Sequence, residues 1–247
     1  MKKLMAVLLT VCLMIPAFAA CADTLIMATN AAFPPYEYYE NETIVGIDAE
    51  IAAAIAEKLG MELQIDDIDF NAIIPAVTSG KASFGMAGMT VTEERKQSVS
   101  FSDSYATGVQ VIIVKEGSPI ASVDDILAEG ATYNVGVQEA TTGDIYISGD
   151  LEGQPDRVQK YQNGALAVQA LLTDKVDCVI IDNEPAKAFV AANEGLKILD
   201  AAYTEEDYAI AVALDNTELL DKINAALKEL IEDGTVAAII AKYIPAE

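Results

Sequence analysis

The sequence contains no histidine, no tryptophan and only three cysteines. Without histidine, the usual catalytic triads and the histidine-containing metal sites are excluded. Cys12 and Cys21 fall in the amino-terminal segment, so Cys178 stands alone in an apolar run. We therefore predict that Cys178 is a buried small hydrophobe and that a core, rather than disulfides, stabilises the fold. We predict neither a metal site nor a cofactor.

Basic residues are also scarce, since 15 Lys and Arg stand against 39 Asp and Glu, for a formal net charge of −24. Such a chain is a poor partner for nucleic acid and for anionic membrane surfaces. Its acidity says little about a neutral small ligand. It would attract a cationic ligand weakly, over a distance that salt limits.

Residues 1–21 have the pattern of a secretory signal peptide, with a basic start, an apolar run, Pro16 and a small-residue exit. The apolar run is long enough for an uncleaved membrane anchor, but Pro16 and the small residues favour cleavage. Cys21 resembles a bacterial lipoprotein attachment cysteine, although Phe18 replaces the aliphatic residue usual at that place. Lipidation of Cys21 and simple cleavage around residues 19–22 both fit. The mature protein is expected in the periplasm or on the extracellular face of the membrane.

Beyond the signal peptide, short apolar strands alternate with segments of helical periodicity. Thr24–Thr29, Met61–Ile65 and Val176–Ile181 are predicted strands. Such alternation is typical of parallel sheets with helices on both faces. We therefore predict an α/β fold.

Two strands are candidates for crossings between lobes. Gly108–Val114 is long and has no helix before it, and Tyr208–Ala213 is a plausible return. The predicted division is residues 24–108 and 208–247 in lobe 1 and residues 109–207 in lobe 2.

Gly88–Arg95 is the segment most suited to a binding site. It begins with small and hydroxyl residues, which leave backbone groups open to a ligand, and it ends on an arginine, whose planar donors suit a carboxylate. An apolar predicted strand precedes it, and ligands bind at the carboxyl ends of strands in open α/β sheets. The alternative is a plain loop in which Thr92 caps a helix and Arg95 makes a surface ion pair.

Two later loops also follow predicted strands. Thr141, Thr142 and Gly143 would offer free N–H groups to an anion at a helix start. Asp182 follows the strand that ends at Ile181. Ordinary helix capping explains both loops as well.

Aromatic residues are the remaining candidates. Pro34 and Pro35 exclude a helix and hold Phe33 in an extended loop that starts at Asn30. Packing on the core is the alternative for the loop that carries Phe33. Phe70 opens a predicted helix and could equally be a core residue. Asp48 is predicted to cap the first helix, whose apolar stripe is Ile51, Ile55 and Leu59.

Six segments form an ordered set along the chain, which are Asn30–Tyr38, Gly46–Asp48, Gly88–Arg95, Phe101–Asp103, Val135–Gly143 and Ile180–Asp182. Each motif alone is weak, but the ordered set is specific and spans the mature chain. It resembles the extracellular solute-binding proteins, family 3, which deliver polar amino acids to ABC importers. The resemblance implies a type II periplasmic-binding-protein clamp, in which each of two lobes is a mostly parallel sheet flanked by helices.

The resemblance also implies roles for single residues. Phe33 and Phe70 correspond to an aromatic pair that sandwiches the aliphatic part of the ligand. Arg95 corresponds to the arginine that holds the α-carboxylate, helped by the backbone N–H groups of Thr90 and Thr142.

The acceptors of the α-ammonium correspond to the Gly88 carbonyl, the Thr90 hydroxyl and Asp182. A zwitterion buried between lobes needs a partner for each of its charges, because burying an unpaired charge has a large free-energy cost. Met89 and Thr141 complete the predicted contacts.

Ligand specificity rests on the remaining positions. Many relatives that bind basic or amide side chains carry an aspartate where this chain has Asn30, and Gln138 and Glu139 lie near the expected side-chain pocket. Arginine or lysine, through Glu139, and glutamine or another polar neutral amino acid are both compatible.

The implied function is that a monomer without enzymatic activity captures a polar or charged amino acid and delivers it to the permease of an ABC transporter. The alternative is an exported cyclohexadienyl or arogenate dehydratase, which needs a general acid in the cleft. Glu37, Glu139 and Asp182 are candidates for that acid. A receptor's sensing domain is not expected, because no signalling domain follows Glu247.

Overall fold

The computed structural model describes residues 23–245, so the predicted signal peptide and Cys21 lie outside the described residues. Its strands are β1 (Thr24–Thr29), β2 (Ala32–Phe33), β3 (Glu37–Glu40), β4 (Thr43–Val45), β5 (Glu62–Asp67), β6 (Phe84–Gly85), β7 (Val99–Phe101), β8 (Ala106–Lys115), β9 (Val135–Gln138), β10 (Val158–Tyr161), β11 (Cys178–Asp182), β12 (Leu196–Ile198), β13 (Thr204–Tyr208) and β14 (Ala211–Ala213). Its helices are α1 (Ile47–Leu59), α2 (Phe70–Thr78), α3 (Val123–Leu127), α4 (Thr142–Asp150), α5 (Gly164–Leu172), α6 (Asn183–Ala192), α7 (Thr217–Glu232) and α8 (Thr235–Tyr243).

The first sheet has the strand order β5-β1-β6-β14-β7. Strands β5, β1 and β6 are parallel, whereas β14 is antiparallel to both β6 and β7. Helix α1 buries Ile47, Ile51 and Ile55 in the core that this sheet shares with α7. Each such side chain contributes about 1.5–3 kcal/mol of burial free energy, so the apolar stripe fixes the helix on the sheet.

The second sheet has the order β10-β9-β11-β8-β12, and β13 also pairs with β8. Strands β10, β9 and β11 are parallel, and β8 is antiparallel to all three of its partners. Both sheets are therefore parallel on one side and antiparallel where the crossing strands join them. Cys178 is free and buried in the core of this sheet, as predicted.

The chain passes between the two sheets twice, once from β7 to β8 and once from β13 to β14. Strands β8 and β13 lie side by side, with Tyr208 opposite Ala106. The prediction of one continuous strand over Tyr208–Ala213 is wrong, because Ala209 and Ile210 lie outside both strands at the point where the chain changes sheets. The two crossings bring the ends of both sheets together.

Asp48 does not cap helix α1, which corrects the sequence-based prediction. The N-cap is Gly46, whose φ is 127° and whose Cβ would lie 2.2 Å from the carbonyl oxygen of Tyr36. Only glycine fits there. Asp48 is instead buried in the first turn, where its Oδ2 accepts hydrogen bonds from the Gly88 N–H at 2.8 Å and the Tyr105 hydroxyl at 2.9 Å. It ties α1 to the segment that carries the candidate site.

Candidate functional site

A cavity lies where the two sheets meet, and the predicted site residues other than Met89 line it. The space between its lining atoms, including its mouth, is about 460 Å³. The lining residues are Asn30, Phe33, Glu37, Phe70, Ala87, Gly88, Thr90, Arg95, Gln110, Gln138, Thr141, Thr142, Ile180, Ile181, Asp182 and Tyr208.

Met89 is the exception among the predicted residues. Its side chain is buried in the core of the first sheet, beside Ala28 and Ile73. Its carbonyl accepts a hydrogen bond from the Ala209 N–H. Met89 therefore anchors the segment between Gly88 and Thr90 instead of facing the cavity.

Arg95 is buried, with 7% of its surface exposed, and it begins a short 3-10 turn. Its Nη1 donates to the Thr90 carbonyl at 2.8 Å and its Nη2 to the Ala140 carbonyl at 2.9 Å. These two bonds use only part of the five-donor guanidinium. The guanidinium carbon, Cζ, lies 5.4 Å from the centre of the Phe70 ring. Burial lowers the pKa of Arg95.

The predicted alternative of a surface ion pair for Arg95 is wrong. Within residues 23–245, its hydrogen-bond acceptors are backbone carbonyls, and no carboxylate pairs with it. Burying a guanidinium without a counter-ion is unfavourable. This arrangement therefore suits an anion that enters the cavity and takes the remaining donors.

Two residues that line the cavity together with Arg95, Thr90 and Thr142, have backbone N–H groups available to a ligand. Thr90 and Tyr208 face each other in an isolated antiparallel bridge. The hydrogen bonds of this bridge join their neighbours, from the Val91 N–H to the Asp207 carbonyl and from the Ala209 N–H to the Met89 carbonyl. The N–H and the carbonyl of Thr90 itself therefore face away from Tyr208. Thr142 begins α4, which Thr141 caps, so the Thr142 N–H has no partner within the helix. Both residues line the cavity, where these N–H groups can serve the same anion as Arg95.

Asp182 ends β11 and lines the cavity from the second sheet. Its Oδ1 accepts from the Glu184 N–H at 3.2 Å, which makes it the cap of α6. Its Oδ2 accepts from the Val109 N–H at 3.0 Å and from the Tyr208 hydroxyl. Only 1% of its surface is exposed, and this burial raises its pKa to about 7 despite the three donors. A cation in the cavity would favour the ionised form.

Gly88 and Phe33 form a close contact in the cavity wall. Gly88 has a φ of 51°, and a Cβ at this position would lie 2.8 Å from Phe33 Cε1. Phe33 also stacks on Tyr36, with ring centroids 5.7 Å apart and an interplanar angle of 27°. Together with Phe70, it gives the first lobe two apolar rings that face the cavity.

Polar contacts join the two lobes across the cavity. Gln138 Nε2 donates to Asn30 Oδ1 at 2.9 Å in a buried position. Nearer the surface, Asn71 Nδ2 donates to Glu139 Oε2 at 3.1 Å. Each pair combines one residue from the first sheet's half with one from the second, so the structure is a closed form. Glu139 lies outside the lining residues and adjoins them through Gln138.

A buried pair of carboxyl groups, Glu37 and Asp48, lies behind Gly88. Burial raises the pKa of Asp48 to about 6, and burial together with the Asp48 charge raises the pKa of Glu37 well above its usual range. The two groups are coupled, so their titrations belong to the pair. Glu37 was considered from the sequence only as a candidate acid, and this pairing was not predicted.

Sequence reasoning missed Gln110, Tyr208 and Glu206 as site-forming residues. Glu206 and Tyr208 are buried on one side of β13, whereas Asp207 between them is exposed. This alternation was a usable signal. The acidic run of residues 205–207 masks it, because such runs usually form solvated surfaces.

The chain matches the model of the bacterial extracellular solute-binding proteins, family 3, over residues 25–246. It is similar to the arginine-binding extracellular protein ArtP of Bacillus subtilis (strain 168), at 35% identity over 263 aligned positions that cover 100% of both chains. Among solved structures, it is similar to an ancestral arginine-binding protein bound to arginine, at 41% identity and a TM-score of 0.84, over 91% of this chain and 99% of the other. It is also similar to an ancestral arginine-binding protein bound to glutamine, at 40% identity and a TM-score of 0.83, over 90% and 98%.

The two sheets, the crossings between them and the enclosed cavity define a two-lobe α/β binding protein, and the similar structures confirm this class. The chain belongs to the bacterial extracellular solute-binding proteins, family 3. Both the resemblance found in the sequence and the location outside the cytoplasm that it implies are confirmed.

Proposed function

We propose that the protein captures an amino acid outside the cytoplasm and delivers it to the membrane permease of an ABC transporter. The observation that carries the proposal is a buried Arg95 that forms no salt bridge within residues 23–245, in the same closed cavity as a buried Asp182. A zwitterion supplies both missing charges. Arg95 and the N–H groups of Thr90 and Thr142 would bind its carboxylate, and Asp182 would bind its ammonium.

The first candidate ligand is L-arginine. The net charge of −24 favours a cation, and Glu139 adjoins the cavity at Gln138. The similarity to arginine-binding proteins supports the same ligand.

L-glutamine is the second candidate. The Asn30–Gln138 pair offers neutral amides at the cavity wall, which suit the amide of glutamine. The similar structure with bound glutamine supports it as well.

We further propose that residues 24–108 and 208–247 move as one lobe and residues 109–207 as the other. The Asn71–Glu139 and Asn30–Gln138 bonds would form only on closure. A ligand held by both lobes favours the closed state by its differential affinity for it. The working unit is a monomer that docks on its permease.

Calorimetry tests the ligand proposal. The mature protein is unfolded and refolded to remove any bound amino acid, and is then titrated with L-arginine, L-glutamine and agmatine. We expect one L-arginine per monomer. Agmatine, which is arginine without its carboxylate, is expected to bind at least about 30-fold more weakly, because Arg95 then stays unpaired. Equal affinities for agmatine and L-arginine would contradict the assignment of Arg95.

The similar proteins named above are binding proteins rather than enzymes. We therefore propose that the protein is not a dehydratase. Incubation with prephenate or arogenate is expected to yield no phenylpyruvate or phenylalanine above a no-protein control. Product formation that Glu37→Gln abolishes would establish the enzymatic alternative.

A further inference from the structure

Glu206 lies on β13, the strand from which the chain returns to the first lobe, and only 6% of its surface is exposed. Its Oε2 accepts hydrogen bonds from three residues that line the cavity. The donors are Thr90 Oγ1 at 3.0 Å, Thr142 Oγ1 at 2.8 Å and Gln110 Nε2 at 3.1 Å. One carboxylate oxygen thus joins the crossing strand to a threonine on each side of the cavity.

These bonds fix the direction of both hydroxyl protons. A hydroxyl carries a single proton, and Thr90 and Thr142 each donate theirs to Glu206 Oε2. The Thr90 Oγ1 lone pairs are then left for a donor in the cavity. An ammonium group is such a donor, whereas a carboxylate is not.

The second oxygen of Glu206, Oε1, is buried and has no partner within hydrogen-bond distance in the described part of the chain, and the nearby Tyr146 hydroxyl interacts with the Glu206 carboxylate. A buried acceptor left unsatisfied costs stability. Glu206 also forms no ion pair with Arg95, the nearest buried cation in the site, although the Glu206 charge acts on it. This arrangement is poor for folding and points to a role in the site.

We propose that Glu206 is a positioning residue. It makes the Thr90 hydroxyl an acceptor for the ligand ammonium, and it holds the Thr142 hydroxyl next to that of Thr90 in the closed form. The proposal rests on the proposed function, because it requires an amino acid in the cavity. Glu206 does not touch the ligand. It acts through hydroxyl groups from both sides of the cavity.

The test compares Glu206→Gln with Glu205→Gln, an exposed neighbour on the same strand. L-arginine affinity is measured by calorimetry, and its dissociation rate by stopped flow. We expect Glu206→Gln to weaken binding about 10- to 100-fold, mainly through faster dissociation, because the contact forms on closure. Glu205→Gln is expected to stay within two-fold of wild type.

A second measurement separates positioning from a general loss of structure. In the Thr90→Val background, Glu206→Gln is expected to cost clearly less than in the wild type, because one of the two hydroxyls on which it acts is gone and only the bond to Thr142 remains. The proposal is overturned if Glu206→Gln binds within three-fold of wild type, or if its cost is the same in both backgrounds. If the wild type itself binds no amino acid, the proposed function fails instead.

If Glu206→Gln does not fold, Thr142 provides the test. Thr142→Val removes the hydroxyl and leaves a side chain of nearly the same shape, whereas Thr142→Ser keeps the hydroxyl. The serine variant is expected to bind L-arginine at least five-fold more tightly than the valine variant. Equal affinities of the two variants would overturn the proposal.

Discussion

Replacing Arg95 removes the only side-chain charge that we assign to the ligand carboxylate. In the closed structure Arg95 is buried and bonded to the carbonyls of Thr90 and Ala140, one from each side of the cavity. Arg95→Ala therefore leaves the ligand carboxylate buried with backbone N–H donors alone. Truncating one partner of a buried charged pair costs about 2–5 kcal/mol. The dissociation constant is expected to rise about 30-fold to several-thousand-fold.

Arg95→Lys is expected to restore only part of this loss. An ammonium is a compact charge and cannot reproduce the planar fork that reaches two carbonyls and a carboxylate together. The matched control is Lys96→Ala on the same short turn. Lys96 is exposed and pairs with Glu93, a contact worth about 0–1 kcal/mol, so this variant is expected to bind like wild type.

The assay is calorimetry with L-arginine, together with thermal unfolding of each ligand-free variant. Arg95 has no salt-bridge partner among the residues that the structure describes, so its removal is expected to change ligand-free stability much less than binding. Binding by Arg95→Ala within three-fold of wild type would refute the assignment. Unfolding of Arg95→Ala without ligand would show that the guanidinium serves the fold.

Three further predictions concern pH, the cavity wall and closure. Burial raises the pKa of Asp182 to about 7, so binding an ammonium below that pH must release its proton, and affinity should fall about ten-fold per unit from pH 7 to 5. Asp182→Asn should flatten this profile. The folded pKa of Asp182 lies above its unfolded value of 3.8, so its contribution to ligand-free stability is full below about pH 4 and is lost as pH rises to 7. Denaturation of the wild type and of Asp182→Asn at pH 5 and at pH 7 measures this contribution. Gly88→Ala should weaken L-arginine binding and lower the melting temperature more than Gly117→Ala does, since both glycines have positive φ but only Gly88 abuts Phe33. L-arginine should reduce the radius of gyration in X-ray scattering, and an unchanged radius at saturation would contradict closure.

The sequence predicted the elements that depend on local pattern. The stripe of Ile51 and Ile55 repeats with the helical period and is buried as expected. Cys178 lies in an apolar run and is buried as well. Helix capping was one of two interpretations of the loop at Thr141, and the Thr141 hydroxyl accepts a hydrogen bond from the Asp144 N–H. In each case the residues that decide the structure are neighbours in the chain.

Predictions failed where a distant residue decides the outcome. Asp48 precedes an amphipathic stretch like a cap, but Gly88 and Tyr105 draw it into the core. The strand at Tyr208–Ala213 is continuous in composition, yet it divides because its halves pair with different sheets. Glu206 sits in an acidic run, and only its partners across the cavity make its burial tolerable.

The candidate site shows the same limit. The family resemblance indicated which positions to examine, and the structure places those residues other than Met89 around one cavity. The Glu37–Asp48 pair could not be foreseen, because the raised pKa of Glu37 follows from burial next to a second carboxyl group. The spacing of Glu37 and Asp48 in the sequence shows neither that they are buried nor that they lie next to each other.

The most direct test of the central claim is a crystal structure of the mature protein with bound L-arginine. We predict that the ligand lies in the cavity between the lobes, with its carboxylate on Arg95 and its ammonium on Asp182. A structure with the ligand outside this cavity, or with its ammonium facing Arg95, would contradict the account.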